Sequence, residues 1–154
     1  MKIFTMLVTA LFSYVQKALG AQAEFGAQLI LPAYKSNSSY IGAGPLRYVF
    51  AAATGAYRAN RADVNPTSTS ILGVMQNDPG IDEAMVIAYA GHTKVVAGAA
   101  VSANQMIGCQ SGTGRAIAVV SGDMVCGRAL EAATANGDVI TAVIFHPVRW
   151  AGAA

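Results

Sequence analysis

Two histidines, two cysteines and a small group of carboxylates are the residues of this chain whose chemistry could serve catalysis or metal binding. His92 follows Gly91 and His146 precedes Pro147, and neither has a second ligand at metal-binding spacing. Both read as solvated histidines at strand ends. Gly108-Cys109-Gln110-Ser111-Gly112 loosely resembles the surroundings of a nucleophile. A cysteine nucleophile needs a base that lowers its pKa and a site for the oxyanion, and neither is identifiable here. A turn beside a core cysteine explains the same residues. Gly112-Thr113-Gly114-Arg115 lacks the Lys-Ser/Thr ending of a phosphate loop and opens no helix, so it reads as a hairpin turn. Asp78, Asp82 and Glu83 cluster around Pro79-Gly80, but their spacing matches no calcium loop. Arg58 and Arg61 are the one local concentration of positive charge. A solvated loop accounts for them better than a phosphate site, and contact with a partner's surface is the role left to them. The expectation is no catalytic residue, no metal, no cofactor and no enzyme.

The elements that position these residues follow from composition and pattern. Of the 154 residues 54% are hydrophobic and 12% charged, against roughly 25% charged in an ordinary soluble domain. A chain so poor in charge leaves small apolar surface outside or buries it against partners, which favours an assembling protein. The net charge of +2, spread along the chain, argues against nucleic acid. Cys109 and Cys126 fit neither a Cys-x-x-Cys pair nor a zinc knuckle. Both lie in apolar strand-like stretches, where cysteine acts as a small hydrophobe, so they read as reduced core residues of a protein made in cytoplasm.

Residues 1–24 read as an amphipathic helix or arm. Ile3, Met6, Leu7, Ala10, Leu11, Tyr14 and Ala18 recur at the spacing of one helical face, with Gly20 as C-cap. The apolar run is too short for a membrane span, which needs about 20 residues. Lys2, the run and Ala21-Gln22-Ala23 also imitate a secretory signal, against which Lys17 weighs. As a retained helix, the face of Ile3, Met6, Leu7, Leu11 and Tyr14 would dock on a neighbouring subunit, a larger assembly or the protein's own sheet.

Residues 25–70 read as a strand over 25–35 ending near Pro32, a loop, a strand over 46–52, and a long surface loop or arm over 58–70. Residues 71–150 read as a regular β domain. Strands are expected at 71–76, 84–89, 93–97, 106–109, 116–120, 125–131 and 139–145, with Pro147 as the stop. Asn136-Gly137 is the strongest two-residue hairpin signal. Short strands at this spacing indicate a mainly β fold, a small antiparallel barrel or sandwich with an N-terminal helix or arm. In the last strand both alternating sets are apolar, which predicts cover on both faces, from the core and from a neighbouring subunit. A weak echo links Leu72-Gly73-Val74-Met75, followed by Glu83 and an apolar strand, with Cys126-Gly127-Arg128-Ala129, followed by Asp138 and another.

The ordered small motifs carry a resemblance. They are Gly73-Val74-Met75-Gln76-Asn77-Asp78, Glu83-Ala84-Met85-Val86, Gly91 through Ala99, Asn104-Gln105, Gly114-Arg115-Ala116, Gly122-Asp123 and Gly127 through Ala132. In that order, over about half the chain, they resemble the small decoration (cement) proteins of tailed-phage capsids. The resemblance implies a non-catalytic virion protein, made in the host cytoplasm, that binds the outer surface of the head and bridges capsomers. Its partners would be the major capsid protein and itself, as a homotrimer, with no nucleic acid and no membrane. Residues 1–70 depart from the pattern. The competing readings are a secreted or surface-displayed β domain with residues 1–23 as its signal, and another virion component, a head-fibre base or a tube protein.

Overall fold

The computed structural model of the chain describes residues 29–37, 47–62 and 70–151. The expected N-terminal helix, with Ile3, Met6, Leu7, Leu11 and Tyr14, lies outside the described residues. Those described form nine strands: β1 (Leu29–Ser36), β2 (Phe50–Gly55), β3 (Arg58–Arg61), β4 (Ile71–Met75), β5 (Ala84–Val96), β6 (Met106–Cys109), β7 (Ala116–Ala118), β8 (Met124–Ala129) and β9 (Val139–Arg149). The strands are hydrogen-bonded in the order β1-β3-β2-β4-β5-β9-β8-β6-β7, and β1 also pairs with β5. That extra pairing closes β1, β3, β2, β4 and β5 into a five-stranded barrel. All neighbours are antiparallel except β1 and β3, which run parallel. The fold is the mainly β domain expected from the turn spacing.

β5 joins the two halves. Its first half pairs with β1 and β4, and from Gly91 to Val96 it pairs with β9. Sequence reading splits this 13-residue element into two strands at Gly91. The chain instead slips its alternation there. Met85 and Ile87 face the barrel interior, whereas in the second half Val95 joins the core between barrel and second sheet. Gly91 has φ 101°, a conformation glycine adopts without steric cost.

Two cores result. Inside the barrel, Val49, Ala51, Ala59, Met75, Met85 and Ile87 pack with Leu31 and Tyr34. The larger core lies between the barrel wall and the second sheet, and includes Phe50, Ile71, Val74, Val95, Ile107, Cys109, Cys126, Ile140 and Ile144. Thr93 is fully buried, and its hydroxyl donates to Gln76 Oε1 at 3.2 Å.

Four turns share one construction, and a strand starts immediately after each. In Gly80–Glu83, Ser102–Gln105, Val120–Asp123 and Ala135–Asp138 the last residue's N–H donates to the first carbonyl at 3.1–3.3 Å. In return the last side chain accepts the first residue's N–H, at 2.7, 2.8, 3.0 and 2.9 Å respectively. The third residue has positive φ in every case: Asp82, Asn104, Gly122 and Gly137. Asp, Asn and Gly are the types that tolerate this region. Each turn thus satisfies its own polar groups and aims the chain into β5, β6, β8 or β9.

The echo around Gly73 and Gly127 has a structural counterpart. Each lies on the first strand of an antiparallel pair, β4–β5 or β8–β9, where a Cβ would meet a carbonyl oxygen of the second strand at 2.2 or 2.5 Å.

Several expectations are corrected. β1 runs through Pro32 to Ser36, and β2 lies at Phe50–Gly55 rather than 46–52. Arg58 and Arg61 belong to a strand, not a loop, because β2 and β1 supply hydrogen-bonding neighbours to a segment of weak β propensity. Asn136-Gly137 is not a two-residue hairpin: β8 ends at Ala129, and nine residues precede β9. β9 passes Pro147 and continues to Arg149, since its last pairing with β5 is at Ile144 and, among the described residues, proline there faces an edge with no strand beside it. Among the described residues β9 buries Ile140, Ala142 and Ile144 on one side, while Val139 on the side expected to meet a neighbouring subunit is 51% exposed.

Candidate functional site

The residues singled out for chemistry are kept apart by the sheet. Cys109 and Cys126 are buried and not joined by a disulfide. The Cys109 thiol lies 3.7 Å from the Ala62 carbonyl oxygen and 3.6 Å from that of Gln110. Burial, and secondarily the repulsion two neighbouring thiolates would feel, push the Cys126 thiol up to about 12, so it stays protonated at neutral pH. His92 is exposed and pairs with Val143 of β9. Two strands, β9 and β8, separate it from β6 and Cys109. His146 lies beside the Tyr89 ring, with centroids 5.8 Å apart. Among the described residues no group of three His, Cys, Asp or Glu side chains could hold a metal, and no helix is long and apolar enough to cross a membrane.

The carboxylates among the described residues are committed to partners within the fold. Asp78 pairs with Arg47 at 3.3 Å, Asp82 with Arg58, and Glu131 with Lys94 at 3.6 Å. Glu83, Asp123 and Asp138 close their turns. The Thr141 backbone N–H, 2.7 Å from Glu131, holds the Glu131 carboxyl below its ordinary range. The N–H groups of Ala135 and Thr134 do the same for Asp138.

Arg58 and Arg61 diverge rather than forming one basic patch. Arg58 reaches Asp82 and, at 3.4 Å, the Ser36 carbonyl. Arg61 is partly buried against the Gly112–Gly114 turn, its Cγ 3.0 Å from where a Gly114 Cβ would stand. That turn is the expected hairpin between β6 and β7, and the Gly114 carbonyl accepts the Phe50 N–H at 2.7 Å, tying it to the barrel. Gly112-Thr113-Gly114-Arg115 is therefore occupied by internal bonds.

Among the described residues the second sheet presents one open face. The pairings place His92, Lys94, Thr141, Val143 and Arg128 across one face. Lys94 donates to Thr141 Oγ1 at 2.7 Å, and Leu130 and Val139 at the margin are 40% and 51% exposed. Sequence reading singled out the β9 side of this face but not its β5 side, although a signal was present: His92 and Lys94 alternate with Thr93 and Val95 at period two.

No protein-family model matches the chain, and no curated protein matches it. Among solved structures, the chain is similar to the N base of the head fibre of bacteriophage phi29, at 14% identity and a TM-score of 0.47, over 79% of this chain and 97% of that one. Likeness of that degree does not define a function.

Proposed function

We propose that the chain is a non-enzymatic structural protein of a tailed-phage virion, a decoration subunit on the outside of the head. The observation that carries the reading is the ordered set of motifs over residues 72–145. Its members fall on one continuous array of turns and strands, from β4 through β9. Two features agree with it. The carboxylates and thiols among the described residues are engaged in turns, ion pairs or the core. The second sheet, in turn, has an uncovered face with exposed Leu130 and Val139. In this reading that face meets the major capsid protein or another copy in a homotrimer, and Arg58 and Arg61 add to the contact.

Electron microscopy of the virion that carries the chain is the test. The expected result is density for the barrel and its second sheet at regular positions on the outer head lattice. Absence from the head, or a place only at a fibre base or in the tail tube, overturns the decoration role. A protein secreted from the cell after loss of residues 1–23 overturns the virion reading altogether.

A further inference from the structure

Asn136-Gly137 is exposed at a junction of three segments: the end of β5, the start of β7 and the turn before β9. We propose that it is a latent deamidation site which Ala97 and Arg115 hold closed in the folded chain. Asparagine followed by glycine is the dipeptide most open to this reaction, because no side chain shields the attacking nitrogen. The Gly137 backbone nitrogen attacks Cγ of Asn136, the N–Cγ bond forms and the Cγ–Nδ2 bond breaks. Ammonia leaves, carrying the proton given up by the backbone nitrogen. Water then opens the cyclic imide at either carbonyl, giving aspartate or isoaspartate. Water is the only co-reactant.

Access does not limit the reaction, since both residues are exposed. Geometry does. The Gly137 N–H, whose proton must leave, donates to the Ala97 carbonyl at 2.8 Å, and the Ala97 N–H donates to the Asp138 carbonyl at 2.8 Å. This two-bond bridge fixes the backbone on the attacking side. On the other side the Arg115 guanidinium donates to Oδ1 of Asn136, holding the amide. Arg115 is itself positioned: its carbonyl accepts the Gln110 N–H at 2.7 Å, and the neighbouring Ala116 carbonyl accepts the Gly98 N–H at 2.8 Å. Cyclisation requires the side chain to leave Arg115 and the backbone to leave Ala97.

The two products differ in consequence. Aspartate would set a carboxylate against Arg115 and keep the turn. Isoaspartate inserts an extra backbone atom into Ala135–Asp138, the turn that starts β9, and so breaks the Ala97 bridge.

The test incubates the purified full chain in mildly alkaline buffer, folded and in guanidinium chloride, and maps peptides for a gain of one mass unit. Conversion at Asn136 should be at least about tenfold slower in the folded chain, the factor expected when local hydrogen bonds must open first. R115M keeps the side-chain stem but loses the donors. Its folded form should convert several-fold faster than the folded wild type. Hydrogen exchange of the Gly137 amide in the wild-type chain is the measurement that needs no variant, and protection is expected. Equal conversion rates in folded and unfolded chain, an R115M rate equal to wild type, or an unprotected Gly137 amide overturns the proposal.

Discussion

Replacing Gly127 by alanine isolates the close approach on which the second sheet depends. The new Cβ would stand 2.5 Å from the Val143 carbonyl oxygen, 3.2 Å from Ile144 Cα and 3.3 Å from Ile144 Cγ2. Ordinary contact begins near 3.4 Å, so β8 and β9 must separate locally by 3.4 − 2.5 = 0.9 Å. The obstacle is backbone in a strand paired on both sides, by β5 and β8, so it cannot swing aside as a side chain could. Overpacking of this kind costs about 1–3 kcal/mol, and a stretched pair of ladder hydrogen bonds adds about 1 kcal/mol. A total near 3 kcal/mol is expected. Gly122→Ala is the control: nothing lies within 4 Å of its Cβ, and only its φ of +95° is unfavourable. That left-handed conformation costs about 1–2 kcal/mol. Urea unfolding of both variants and wild type, analysed with a common slope, measures the difference. The reasoning is refuted if Gly127→Ala loses no more stability than Gly122→Ala.

The Asp138 carboxyl is held below its ordinary 3.8 by the backbone N–H groups of Ala135 and Thr134. A folded-state pKa below the unfolded one stabilises the chain above 3.8, and the contribution is lost as pH falls through the folded value. The urea midpoint of wild type should therefore drop more steeply below that pH than the midpoint of Asp138→Ala, whereas parallel curves would contradict the assignment. Thr93→Val leaves Gln76 Oε1 without the hydroxyl donor 3.2 Å away, and should cost about 1–2 kcal/mol by the same unfolding assay. A buried Cys126 thiol pushed up to about 12 should resist alkylation in folded chain at pH near 8, while both thiols react once the chain is unfolded. Intact mass without reductant should show no loss of two hydrogens.

The β class, most turn positions and the buried, unbridged state of Cys109 and Cys126 are legible in the sequence because they follow from local chemistry. Alternation at period two, Gly-Asp and Asn-Gly at turns, and small apolar residues around each cysteine act within a few residues. The open face was half legible: His92 and Lys94 alternate correctly, but its place depends on the slip at Gly91, and the residues around it read as a break between strands. Tertiary structure alone decided that β5 is one strand serving two sheets, that β1 and β3 close the barrel in parallel, and that Arg58–Arg61 is a strand. It also decided that β9 passes Pro147. These outcomes rest on pairing between residues far apart in the chain. The same four residues are strand or loop according to whether Lys35 and Ala51 lie beside them, and no local preference carries that information.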